Sequence, residues 1–136
     1  RMIGRNNTKK NFDFLDNVLK FLQKTMEDGK PGETYQRINQ NWILGKQIGI
    51  ALEEALNVKG LSYVGKTIPN PHEIEKTIMA YNSDFQPYTI NDDPVCDMTQ
   101  TNKLLQGVYM AQMNENTFSA LLRNYAIREI AKVKIG

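Results

Sequence analysis

Cysteine is almost missing from this chain: Cys96 stands alone, which excludes an internal disulfide framework and any multi-cysteine zinc site. Histidine is equally scarce, with His72 the single copy, so any imidazole-based catalysis must run through it. No apolar run reaches the roughly 20 residues needed to cross a bilayer. The basic start, Arg1–Lys10, is not followed by the hydrophobic stretch of a signal peptide, although a start at arginine leaves a removed leader open. Internal repeats and low-complexity tracts are also lacking, which argues against a solenoid or a coiled-coil rod. The glycine pair in Gly45-Lys46-Gln47-Ile48-Gly49 lacks the spacing and Lys-Ser/Thr ending of a phosphate loop.

What remains is an ordinary globular composition. Hydrophobic residues make up 40%, charged residues 24% and aromatics 9% of 136 residues, a balance that supports a folded core and argues against disorder. A chain of this length suits one domain, with roughly 68% of its extended surface buried on folding. The lone thiol and the absence of a spanning segment lead to a soluble, cytoplasmic protein as the expected setting.

Apolar spacing of three and four points to a mainly α architecture: a compact bundle of about five helices. The expected division is a basic flexible arm over 1–10 and a single helical domain over 11–136. The strongest helix runs from Asn11 to Asp28, with Leu15, Val18, Leu19, Leu22 and Met26 on its apolar face and Asn11 or Asp13 as cap. A second helix is expected to run continuously from Thr34 to Asn57, weakened at Gly45 and Gly49. Asn70-Pro71 reads as cap and first residue of a helix ending at Tyr81. Residues 82–93 read as polar turns. Asp93-Pro94 opens a further helical stretch, Val95 to Met113, and Asn116 caps a last helix carrying Phe118, Leu121, Leu122, Tyr125 and Ile130. A short two-stranded ribbon between 61–68 and the C-terminus is an allowed addition.

Chemistry-bearing residues are sparse and unorganised in this pattern. His72 and Cys96 each sit at an expected first helical turn, neither in a glycine-framed nucleophile elbow, so they read as a surface imidazole and a partly buried thiol. Asp92, Asp93 and Asp97 cluster in sequence but do not form a calcium loop, and aspartates at a helix start already have a role with the dipole. Glu53 and Glu54 diverge by about 100° on a helix and cannot act as a general acid/base pair. Residues 108–124 meet at a polar corner, but Asn114 and Asn116 fall where a helix-turn-helix needs apolar residues. The expectation is a chain that is not an enzyme and carries no cofactor or metal.

Charge is uneven. Residues 1–10 hold Arg1, Arg5, Lys9 and Lys10 with no acid, and residues 123–136 hold Arg123, Arg128, Lys132 and Lys134 against Glu129, while the whole chain nets only +2; the middle is therefore acidic. Arg5, Lys9, Lys10, Arg123, Arg128, Lys132 and Lys134 are the candidate contacts to nucleic acid, with salt-sensitive binding as their signature. No aromatic residues interleave with the basic arm, so base stacking has little support. Bulky or close-packing residues Trp42, Gly45, Gly49, Tyr109 and Met113 are the candidate interface to a protein partner, the chain itself included. The leading expectation is a non-enzymatic helical protein–protein interaction module; the alternative is an accessory nucleic-acid-binding protein acting through its basic ends. A membrane is not an expected partner.

Overall fold

The computed structural model describes residues 1–135, with side-chain surroundings described as far as Glu129. In chain order the elements are a strand β1 (Lys9–Lys10), helix α1 (Leu15–Asp28), strand β2 (Ile43–Leu44), helices α2 (Gly45–Leu56) and α3 (Glu73–Tyr81), a 3-10 turn (Ser83–Phe85), and helices α4 (Gln86–Ile90), α5 (Thr99–Leu104) and α6 (Glu115–Ile135). The fold is mainly α. It divides into two units, one made of Arg1–Lys10, Ile43–Asp93 and Asn114–Gly136, the other of Asn11–Trp42 and Pro94–Met113.

The first unit is built around α2 and α6, which pack along each other. Their buried positions are small, Gly49, Ala51 and Ala55 on α2 and Ala126 on α6, and small side chains at a helix–helix contact let the axes approach. Ile43 and Ile68 complete this core. The only regular sheet among the described residues is a two-stranded antiparallel one, with Lys9 opposite Leu44 and Lys10 opposite Ile43. A ribbon is therefore present, but its partners are not those expected. Residues 61–68 bridge instead to the N-terminal segment, Met2 with Tyr63 and Gly4 with Gly65. The last residues continue α6 as helix to Ile135.

Residues 1–10, expected as a mobile arm, are held by backbone pairing. The Met2 amide donates to the Ser62 carbonyl at 2.8 Å, and Gly4 and Gly65 exchange both their bonds at 2.9 Å. At the other end of the segment, Gly45 N donates to Thr8 O and Lys46 N to Asn6 O. This explains why α2 starts where it does. A Cβ built on Gly45 would lie 2.1 Å from the Arg5 carbonyl oxygen, so only glycine lets the two backbones meet. The Gln47 side chain accepts from the Leu44 amide at 2.6 Å and caps the helix. The continuous helix expected over 34–57 is thus corrected to 45–56, ended by Asn57 in the left-handed region at φ 52°.

Two caps also shift. Asn70 adopts φ 46°, which takes it out of the cap role, and α3 starts two residues later with the His72 amide donating to Glu75 at 2.9 Å. At α6 the cap is Asn114 rather than Asn116: its side-chain oxygen accepts from the Thr117 amide at 3.0 Å. The stretch 82–93, expected as plain turns, contains the 3-10 turn and α4.

The second unit contains α1 and α5 with two long non-helical strands of chain beside them. Its interior is unusually polar: the most deeply buried side chains here are Asn17, Asn39 and Thr101, alongside Leu105 and Met113. Buried amides are tolerated only when their hydrogen bonds are made, and here they are. Asn17 on α1 forms a two-way bond with Ala111, accepting from its amide at 3.0 Å and donating to its carbonyl at 2.8 Å. Asn39 donates to the Met113 carbonyl at 2.7 Å, while its own amide and carbonyl pair with the Asn11 side chain. Thr101 on α5 accepts from the Gln36 amide at 2.9 Å. Arg37 Nη2 lies 2.8 Å from Asp13 Oδ2 as an ion pair, without the alignment of a hydrogen bond.

These side-chain bonds account for the remaining corrections. Over 34–42 and 105–113 several backbone groups, those of Gln36, Asn39, Ala111 and Met113, bond to asparagine and threonine side chains instead of to an i→i−4 partner, which competes with helix. The expected helix over Val95–Met113 is reduced to α5, with Gly107 at φ 79° just beyond it. Asp93 does not cap it; its carboxylate pairs with Lys10 in the first unit.

Candidate protein-docking faces

Helix α1 is strongly amphipathic, yet the side it buries is not its leucine face. Asn17 is 1% exposed, with Phe21 and Thr25 half-buried behind it. The leucine stripe points to solvent instead: Leu15 is 70% exposed, Leu19 53%, Leu22 48% and Met26 87%. Isolated exposed leucines are ordinary, but four in register along one helix are a contiguous apolar patch of the kind that marks an interaction site. The expectation that this stripe forms the core is therefore corrected. What holds α1 in place is the polar side, through Asn17 to Ala111 and Lys20 to the Tyr109 carbonyl at 3.2 Å.

The first unit carries a second apolar surface. Ile74, Ile78 and Phe85 are exposed on α3 and the turn after it, and with Ile3, Ile68 and Met79 they border a cavity of about 660 Å³. That volume lies within the range of small-molecule pockets. Its charged groups are already matched. Arg1 reaches Glu75 with Nη2 at 2.7 Å and Nε at 3.0 Å; this pair, with the His72 amide behind it, pulls the Glu75 carboxyl down to about 2. Glu75 is thus ionised at all ordinary pH and ion-paired, which leaves the wall apolar with one polar edge.

The expected interface residues separate by burial. Tyr109 is exposed, with Lys20 Nζ 5.6 Å from its ring centre. Trp42 is half-buried and Met113 buried in the second unit. Gly45 and Gly49 are buried in the first, where a Cβ on Gly49 would sit 3.4 Å from the Tyr63 ring, so both glycines serve internal packing. Leu15, Leu19, Leu22 and Met26 are the residues that the sequence pattern assigned to the core and the structure places outside. The sequence carries no signal for this, since with Val18 the face has the i, i+3, i+4, i+7 spacing of a helix lying on a core.

Of the candidate nucleic-acid contacts, Arg5, Lys9, Arg123 and Arg128 are exposed in the first unit. Lys10 is occupied: its Nζ lies 2.7 Å from Asp93 and 2.8 Å from the Asn91 carbonyl. The side chains of Lys132 and Lys134 lie outside the described residues. His72 is exposed at the start of α3, and Cys96 is half-buried. Asp92 accepts from the Lys9 amide at 2.8 Å. Asp97 accepts from both the hydroxyl and the amide of Thr99, which holds its carboxyl below the usual range. Among the described residues no group of three or more His, Cys, Asp or Glu is placed to hold a metal, and no helix is long and apolar enough to cross a membrane. No family model, curated protein or solved structure matches this chain.

Proposed function

We propose that this chain is a non-enzymatic protein-interaction module whose working surface is the leucine stripe of α1. The observation that carries it is the solvent exposure of Leu15, Leu19, Leu22 and Met26 on a helix fixed by its opposite side. A helix of this kind offers anchors at i, i+4, i+7 and i+11, the arrangement that helix-in-groove and helix-pair partners recognise. Because α1 is already folded and tied down, binding does not have to order it, which favours affinity. The single thiol fits a cytoplasmic, reducing setting for such a module.

The test is recovery of partners from an extract of the native host on immobilised chain, followed by rebinding of the purified candidate. Replacing Leu22 and Met26 together by glutamate removes two of the four anchors, and loss of such anchors lowers affinity by roughly tenfold or more. A partner that rebinds directly and is lost with Leu22→Glu/Met26→Glu supports the proposal. Equal rebinding to both forms contradicts it.

A further inference from the structure

The stripe on α1 has a symmetry of its own. Leu15, Leu19, Leu22 and Met26 are separated by four, three and four residues, and this order reads the same in both directions. A two-fold axis perpendicular to the helix, passing between Lys20 and Phe21, maps position 15 onto 26 and position 19 onto 22. A surface that maps onto itself under a two-fold rotation is what an isologous dimer requires. We infer that the stripe is covered by α1 of a second copy of this chain, running antiparallel. This rests on the reading of α1 as a protein-docking face and names its occupant.

In such a pair Leu15 meets Met26 of the second copy, and Leu19 meets Leu22, so every apolar layer is filled by two side chains of similar volume. The flanks agree as well. Asp16 comes beside Gln23 of the second copy, a carboxylate next to an amide able to donate to it, and Val18 comes beside Thr25. No like charges face each other, since Lys20, Lys24, Glu27 and Asp28 lie away from the seam. Antiparallel helices also align their dipoles favourably, whereas a parallel pair opposes them. A free helix of 14 residues would be marginal as a zipper. This one is held in shape within its own unit by Asn17, Phe21 and Thr25, so the seam need only supply contact. Four anchors per copy make a small interface of the weak, reversible class, with a dissociation constant on the order of 1–100 μM.

Cysteine pairing tests both the occupant and its direction. Two variants are made in a Cys96→Ser background, one Leu15→Cys and one Met26→Cys, and each is oxidised alone and as an equal mixture at on the order of 100 μM. The antiparallel pair brings position 15 of one copy against 26 of the other, while the two copies of position 15 stay about 16 Å apart along the axis, beyond the reach of a disulfide. The expected result is disulfide dimer in the mixture at least ~10-fold above either single variant, with the unmodified chain rising in light scattering toward twice its 15.6 kDa mass as concentration increases. Dimers of each single variant in preference to the mixed one mean a parallel pair and overturn the proposal. A constant monomer mass also overturns it. If that monomer still loses a host partner with Leu22→Glu/Met26→Glu, the stripe docks another protein and only the second-copy assignment falls.

Discussion

Gly45→Ala is expected to destabilise the first unit by about 2–3 kcal/mol, the upper range for forcing a methyl group into a filled site. The added carbon falls 2.1 Å from the Arg5 carbonyl oxygen, and that oxygen is backbone, so relief requires moving the N-terminal segment off α2. Two bonds go with it, Gly45 N to Thr8 O at 2.8 Å and Lys46 N to Asn6 O at 2.9 Å. Alanine's better helix propensity recovers less than about 1 kcal/mol and acts least at a first helical position. In thermal unfolding the net loss appears as a drop of roughly 8–12 °C, taking about 4 °C per kcal/mol for a chain of this size. Hydrogen exchange gives the local signature: the amides of residues 45 and 46 lose protection before the rest of α2. Lys46→Ala, one residue on and exposed, is the control, with a change within about 0.5 kcal/mol. Unchanged stability and unchanged protection in Gly45→Ala would contradict the packing described.

The second large effect concerns Asn17, and its sign separates two views of the second unit. If that unit were held by ordinary hydrophobic packing, Asn17→Leu, similar in size and more apolar, would stabilise it. The structure requires the opposite. Asn17 is 1% exposed and satisfies both backbone groups of Ala111 while donating to Asp13 at 2.6 Å. A leucine there leaves an amide and a carbonyl buried without partners, at about 1–3 kcal/mol each. The expected loss is about 2–4 kcal/mol, read by denaturant titration. Asn17→Ala is expected to lose less than Asn17→Leu, because the smaller side chain leaves room for a water to bond Ala111. A leucine variant as stable as the parent would mean that the amide network does not hold α1.

Much of the helical layout is legible in the sequence, and the failures share a cause. The extents of α1, α3 and α6 follow from three-and-four spacing bounded by Gly29, by Asn70-Pro71 and by the Asn114–Asn116 corner. Those signals are local: the caps of α3 and α6 fall two residues from the expected ones, and α1 starts at Leu15 behind Phe14 instead of at the expected Asn11, so neither Asn11 nor Asp13 is its cap. The lost helices over 34–42 and 105–113 fail because their backbone partners are distant in sequence: Asn17 reaches Ala111, Asn39 reaches Met113, and Thr101 reaches Gln36. Nothing in a window of residues announces that an asparagine will satisfy a carbonyl far along the chain. The same blindness hid the N-terminal pairing, since Gly45 reads as a weak point in a helix until the Arg5 carbonyl is seen against it.

The apolar stripe of α1 is legible in the sequence, but its direction is not, and the expected interface of Trp42, Gly45, Gly49, Tyr109 and Met113 does not include it. Periodicity finds the stripe of Leu15, Leu19, Leu22 and Met26 but does not say whether it faces a core or a partner, because both reward the same burial. The structure settles the direction through Asn17, which is buried on the far side of the same helix.

The most direct measurement of that claim is the stability of Leu19→Asp, taken together with its self-association. If Leu19 faces solvent, the unfolding free energy falls by only about 1 kcal/mol, from helix propensity and the half of the side chain that is covered, while the rise in mass with concentration disappears. If the stripe is instead part of a core, aspartate buries a charge and removes a leucine, and stability falls by at least the roughly 2–5 kcal/mol that losing a buried leucine costs.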